Sequence, residues 1–262
     1  NVAIIGAAAT ALLATGCGPT LIASSQTPEQ SAVAMQVSPA VDRKAPVNQP
    51  IVVVAEDGSL ADVTVEGPKG LMKGSYNPER NTWTSKAQTL AFGTQYTVSA
   101  TATNGEGNPT TIDRTFKTVN PQTLVEISSV SVADGSEVGV GMPIRVTFSA
   151  PVDNKKNVEE QLVVRTSQPV TGAWVWESDE SVVFRPKKYW PENSKIEVVM
   201  PLKGVKTGPG AYGAANADVN YTTGDSMVST YDASNHTLTV KKNGKVIREF
   251  PATSGKPGFE TR

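Results

Sequence analysis

From about Val41 onward, short runs of β-branched and aromatic residues are broken repeatedly by Gly, Pro, Asn and Asp. "PIVVVAEDG", "ADVTVEGPKG", "NTWTSK", "TQYTVSATATNGEG" and "TIDRTFKT" follow one another at a spacing of about ten residues, the signature of an antiparallel sandwich. Residues 121–225 repeat the plan with "VEISSVSVADG", "PIRVTFSAPVD", "LVVRTS", "GAWVWES", "SVVFRPK", "KIEVVMPL" and "ADVNYTTGD". The two halves align if Gly74 matches Gly172, Trp83 falls near Val183, and Tyr96 matches Ile196. "RTFKT" then matches "VNYTT". Order and spacing agree through the repeat, which is the mark of one supersecondary plan used twice. Helical periodicity is thin throughout.

Two departures frame this β-rich middle. Asn1 to Gly16, "NVAIIGAAATALLATG", contains no charged side chain. It is shorter than the roughly 20 apolar residues that span a bilayer and matches the apolar region of a secretory signal. The basic leader and initiating Met are absent before Asn1, so a front-clipped signal is expected. Residues 18–40 are rich in Ser, Pro, Gln and Ala and poor in aromatics. A segment of that composition buries too little apolar surface to offset its ordering entropy, and it is expected to be a flexible tether. At the other end, "MVSTYD", "HTLTVKK" and "KVIREF" are three β runs. The last two meet through Asn243-Gly244, a two-residue hairpin signal because both positions tolerate positive φ.

Composition removes several classes of function. Lys plus Arg number 24 against 25 Asp plus Glu, a formal charge of -1, which offers no field for nucleic acid. One Cys and one His cannot build a structural zinc site, and no loop has the Asp/Asn spacing that calcium needs, so no metal and no cofactor are expected. Trp83, Trp174, Trp176 and Trp190 are read as core or interdomain aromatics rather than sugar platforms, with Trp174 and Trp176 on one sheet face. "KGVKTGPGAYGAANAD", residues 203–218, lacks the Lys-Ser/Thr of a phosphate-binding loop and reads as a surface loop. His236, at a strand entrance with no nucleophile nearby in sequence, reads as a turn residue.

The single cysteine carries the strongest local motif. Ala14-Thr15-Gly16-Cys17 resembles the lipobox of bacterial lipoproteins, with Ala14 where Leu is commoner. The resemblance implies a diacylglyceryl group on the Cys17 thiol, cleavage before it, and acylation of the new amino terminus. Each buried acyl methylene contributes about 0.8 kcal/mol, so several chains hold a soluble domain at a membrane. The expected address is extracytoplasmic, lipid-anchored to the cell membrane and facing the cell wall. An ordinary signal peptide with an incidental Cys is the plainer alternative.

The repeated sandwiches resemble immunoglobulin-like domains. The hairpin "VKKNGKVIREFPATSGKPGFET", with its Ser-Gly-Lys-Pro-Gly continuation, resembles the start of the catalytic domain of L,D-transpeptidases of the mycobacterial, actinobacterial type. The organisation expected from these resemblances is all-β. Signal and lipobox occupy 1–17, a tether 18–40, immunoglobulin-like domains 41–120 and 121–225, and the first strands of the catalytic β-domain 226–262.

The family cross-links peptidoglycan. A cysteine thiolate attacks a donor tetrapeptide stem, releases its terminal D-alanine, and passes the acyl group to a side-chain amine of another stem. The resemblance therefore implies stem peptides as partners of the parent protein and a membrane contact through lipid. The His and the Ser-His-Gly-Cys stretch that carry out this chemistry in the family have no counterpart here, since no Cys follows Cys17. No catalytic residue is assigned, and the chain by itself is expected to be inactive. Ser254, Lys256 and Thr261 lie in the matched stretch without an assigned ligand role. The alternative reading is a non-enzymatic, wall-associated lipoprotein whose tandem domains bind or space.

Overall fold

The computed structural model describes residues 32–39, 44–253, 255 and 258. Among them almost all regular structure is β, and the one helix, α1, is five residues long (Lys155–Glu159). Two separate hydrophobic cores divide the sandwiches, one built between Val33 and Phe116 and the other between Val125 and Tyr221.

The first sandwich contains β1 (Ala34–Ser38), β2 (Val52–Glu56), β3 (Ser59–Gly67), β4 (Gly70–Leu71), β5 (Gly74–Tyr76), β6 (Thr82–Ser85), β7 (Gln95–Thr103) and β8 (Pro109–Lys117). Its sheets run β1-β2-β6-β5 and β4-β3-β7-β8. The long strand β7 shows why these residues pair. Tyr96, Val98, Ala100 and Ala102 point inward at alternate positions and are buried. On the outer face Thr101 meets Thr111 across the ladder with hydroxyls 2.9 Å apart, a favourable cross-strand pair.

The second sandwich contains β9 (Thr123–Val125), β10 (Ile127–Val130), β11 (Glu137–Val138), β12 (Ile144–Phe148), β13 (Val163–Thr166), β14 (Gly172–Trp176), β15 (Ser181–Pro186), β16 (Lys195–Met200), β17 (Lys206–Gly208), β18 (Ala211–Gly213) and β19 (Ala217–Thr223). Its main sheets run β10-β12-β15-β14 and β11-β19-β16-β13, so the first sheet repeats β1-β2-β6-β5 strand for strand. In the other sheet β13, β16 and β19 take the places of β3, β7 and β8. The fourth strand lies on opposite edges, β4 beside β3 but β11 parallel to β19. A single parallel bridge from Ala45 to Thr118 is the first sandwich's remnant of that β11–β19 pairing.

The internal repeat is borne out at side-chain level. Tyr96 faces Phe116 across β7–β8 as Ile196 faces Tyr221 across β16–β19. Thr118 Oγ accepts the Thr94 N–H at 2.9 Å and donates to Ala91 O at 2.7 Å. Thr223 Oγ accepts the Ser194 N–H at 2.9 Å and donates to Pro191 O at 2.6 Å. Both threonines are buried, so each hydroxyl clamps the turn before the central strand where water cannot replace it. Gly74 and Gly172 also correspond. A β-carbon on Gly74 would meet the Trp83 ring and stand 2.8 Å from Thr84 O, and one on Gly172 would meet the Phe184 ring and stand 2.7 Å from Arg185 O. Trp83 therefore corresponds to Phe184, one residue beyond the Val183 expected from sequence. One residue along a strand exchanges the inner face for the outer, which is why the core aromatic decides the register.

Two expectations change. Strand β1 occupies residues read as tether, because Met35 and Val37 alternate toward the core beside the buried Val33 and the strand pairs with β2 from Ala34 to Ser38. The segment 203–218 is a ribbon rather than a surface loop. β17 pairs with β18, β18 pairs with β9, and Val205, Thr207, Gly208 and Gly213 are buried. Its glycines admit neighbouring backbone and side chains at distances a β-carbon would not tolerate.

Candidate functional site

Two places outside the cores bring distant residues together, the seam between the sandwiches and the sheet that follows them. The connection is short because pairing consumes it from both sides. Val119 N–H donates to Ala45 O at 2.9 Å and Gly93 N–H to Val119 O at 2.7 Å, while Gln122 N–H already donates to Gly210 O at 2.9 Å. Asn120 and Pro121 remain between these two sets. Across the seam Lys203 Nζ donates to Thr89 Oγ at 3.2 Å, and Phe92 and Tyr212 lie with ring centroids 6.5 Å apart. Gly204, at φ +79°, packs where a β-carbon would strike Val47 and stand 3.1 Å from Asn48 N. Val47 is completely buried and belongs to the first sandwich's core, so the Gly204 contact reaches the edge of that core. The ribbon 203–218 therefore contributes Lys203, Gly204 and Tyr212 to the seam, a role its Gly-rich composition did not reveal.

Beyond Thr223 the chain forms β20 (Met227–Asp232), β21 (Thr237–Lys242) and β22 (Lys245–Pro251), an antiparallel sheet in sequence order. Asn243 and Gly244 both have positive φ, 49° and 78°, as the Asn-Gly hairpin requires. The sheet's root is polar. Lys242 Nζ lies 2.6 Å from Asp225 Oδ2, Asn243 Nδ2 donates to Asp225 Oδ1 at 3.0 Å, and Ser226 N–H donates to Asn243 Oδ1 at 2.8 Å. The hydrogen bond from Asn243, followed by that from Lys242, holds the Asp225 carboxyl below the usual aspartate range, and Asp225 raises Lys242 in return. Above this root Met227, Val246, Ile247 and Phe250 are large, apolar and exposed. The sheet has the strand pairing of a domain and carries exposed apolar side chains.

Trp83 and Trp190 are buried, and Trp190 Nε1 donates to Met142 O at 2.6 Å. Trp174 and Trp176 both turn to the core side of β14, Trp174 edge-on to Phe184 and Trp176 stacked on Phe148. The aromatic residues thus build cores, as read from the sequence. His236 is exposed in the β20–β21 turn at φ +53°, with Nδ1 3.4 Å from Tyr231 Oη. Cys17, Ser254, Lys256 and Thr261 lie outside the described residues. No group of three or more His, Cys, Asp or Glu side chains suited to a metal occurs among the described residues. No described helix is long and apolar enough to cross a membrane.

Tandem immunoglobulin-like sandwiches joined by a packed seam and followed by a separate three-stranded sheet define the class of this chain. A family model described as "Bacterial Ig domain" matches residues 42–206, and the chain belongs to that family. Its homologues are L,D-transpeptidases. The chain is 33% identical over 216 residues to L,D-transpeptidase 2 of Mycobacterium tuberculosis (strain CDC 1551 / Oshkosh), covering 82% of this chain and 52% of that protein. It is 32% identical over 212 residues to L,D-transpeptidase 5 of Mycobacterium tuberculosis (strain ATCC 25618 / H37Rv), covering 79% and 47% respectively. A solved L,D-transpeptidase structure from Mycobacterium smegmatis is 30% identical, covers 53% of this chain and 58% of that one, and superposes with a TM-score of 0.42. The chain thus spans about half the length of the curated relatives it matches.

Proposed function

We propose that this chain is the anchor-side part of a lipid-anchored L,D-transpeptidase. In this reading the two sandwiches form a fixed strut between an acylated Cys17 and a catalytic domain that β20–β22 begin. The observation that carries it is the match to L,D-transpeptidase 2, whose 216 aligned residues are more than the stretch Ala34–Thr223 that builds the sandwiches. The similarity therefore takes in sequence outside the immunoglobulin-like pair. The exposed Met227, Val246, Ile247 and Phe250 fit a sheet that further parts of a catalytic domain cover.

The acyl transfer proceeds through a thiolate that attacks the donor stem's carbonyl carbon, expels D-alanine, and yields the acyl group to an acceptor amine. A neighbouring His takes the thiol proton and hydrogen-bond donors stabilise the oxyanion. Cys17 is the only cysteine of the sequence and is assigned to lipid, and His236 is an exposed turn residue, so neither serves this step. The chain's contribution is mechanical: reach, orientation and attachment outside the membrane.

The test uses residues 18–262 and the complete protein side by side with a tetrapeptide stem. Release of D-alanine is expected from the complete protein alone, and release by 18–262 would overturn the division of labour. The anchor is tested by Cys17→Ala in cells. The variant is expected in the aqueous phase of a detergent partition, and retention in the detergent phase refutes acylation at Cys17.

A further inference from the structure

The segment between β15 and β16 holds two lysines and a tyrosine on a loop that its neighbours pin from several sides. Lys187 N–H donates to Thr171 O at 2.8 Å and Trp190 N–H to Val140 O at 2.8 Å. Trp190 is buried, its indole N–H bound to Met142 O and its ring stacked on Phe184 with centroids 5.6 Å apart. From this fixed base Tyr189 stands 58% exposed. With Lys187, Lys188 and the rigid rings of Pro169, Pro186 and Pro191 it lines a depression of about 290 Å³. Among the described residues neither Lys187 nor Lys188 takes part in an ion pair.

We propose that this depression binds an acidic saccharide, one sugar ring lying on the Tyr189 face with its carboxylate or phosphate between Lys187 and Lys188. An aromatic face accepts the C–H side of a pyranose, and two ammonium groups supply charge-assisted hydrogen bonds to an anion. The volume is near the lower end of ligand pockets, about 300 Å³, which suits one sugar unit better than an extended segment. A peptide added as a strand needs a run of free backbone N–H groups, and three of the lining residues are prolines, which have none. Because the backbone is pinned, the ordering cost of binding falls on the side chains rather than on the loop. The proposal does not rest on the transpeptidase reading.

The test is titration of the isotope-labelled 262-residue chain, followed by backbone amide shifts and calorimetry. The probes are tetragalacturonate, a phosphorylated mannose oligosaccharide, neutral maltotetraose, inorganic tripolyphosphate and hexaglutamate. Binding of either acidic sugar, with shifts confined to 170–171 and 187–190, is expected, and the tighter of the two identifies the acid. Lys187→Ala with Lys188→Ala is expected to weaken it by about tenfold or more. Tyr189→Ala is expected to weaken it roughly fivefold while Tyr189→Phe retains it, since the exposed ring contributes its face and not its hydroxyl. Any of four results overturns the proposal: no shift at these amides, equal binding of maltotetraose, tripolyphosphate binding as tightly as the acidic sugars and indifferent to Tyr189→Ala, or tighter binding of hexaglutamate. The last assigns the surface to acidic peptides instead.

Discussion

Replacing Thr223 by Val tests whether the repeated threonine clamp stabilises each sandwich independently. The substitution keeps the side chain's shape and removes one donor and one acceptor. The Ser194 N–H, whose residue is completely buried, then loses its partner at 2.9 Å, and Pro191 O loses the hydroxyl at 2.6 Å. An unsatisfied buried donor costs about 1–3 kcal/mol, and the lost hydrogen bond itself about 1 kcal/mol, so a loss of roughly 2–3 kcal/mol is expected. For a sandwich of this size that lowers the midpoint by about 10–20 °C. Calorimetry and urea unfolding read the change, with Thr223→Ser as the control that keeps the hydroxyl. Thr118→Val is expected to act likewise on the first sandwich, through the Thr94 N–H and Ala91 O. The two sites sit in separate cores, so the double variant is expected to lose the sum to within about 0.5 kcal/mol. A Thr223→Val protein within about 0.5 kcal/mol of the parent would refute the reasoning, because that is the range of a surface substitution.

Three further expectations follow from the same geometry. Gly74→Ala and Gly172→Ala each force a methyl against an aromatic ring and a backbone carbonyl and are expected to destabilise their own sandwich by about 1–3 kcal/mol in denaturant unfolding. Gly105→Ala in the first sandwich and Gly139→Ala in the second, each with open space around the glycine and no positive φ, are the controls without a clash. Gly204→Val is expected to change the angle between the sandwiches, read by small-angle scattering or paired spin labels, because it strikes Val47 at the seam and disfavours φ +79°. An unchanged inter-label distance would contradict a seam set by this contact. The Asp225–Lys242 link has a defined pH window. Asp225 is lowered, so its contribution is present above the ordinary aspartate value and lost as pH falls through the lowered one. Lys242 is raised, so its contribution is present below the ordinary lysine value and lost only as pH rises through the raised one. Carboxyl and ammonium NMR titrations are expected to show both displacements; that of Lys242 should vanish in Asp225→Asn, and that of Asp225 should shrink in Asn243→Ala.

Much of the fold is written locally. Alternation in "TQYTVSATA" and "KIEVVM" reports a strand and its buried face, and the duplicated order of glycine, aromatic and hydroxyl residues reports two copies of one sandwich. Asn243-Gly244 specifies its hairpin because few other residue pairs accept two positive φ values. The candidate site was legible only in part. The C-terminal strands and the turn position of His236 follow from local pattern, whereas Cys17 is a motif whose placement lies outside the described residues.

What the tertiary structure decided is everything that depends on which distant backbone a segment meets. Strand β1 looked like tether because the segment around it is rich in Ser, Pro, Gln and Ala and poor in aromatics, yet pairing with β2 and burial of Val33 make it part of the sheet. The ribbon 203–218 looked like a loop because Gly and Ala carry little side-chain signal, and it is its glycines that let Leu202, Val47 and Asn48 approach. The correspondence of Trp83 with Phe184 rather than Val183, and the exchange of edge strands β4 and β11, are likewise choices among partners of similar local propensity. Periodicity states that a strand has a face to bury. Packing alone determines what that face is buried against.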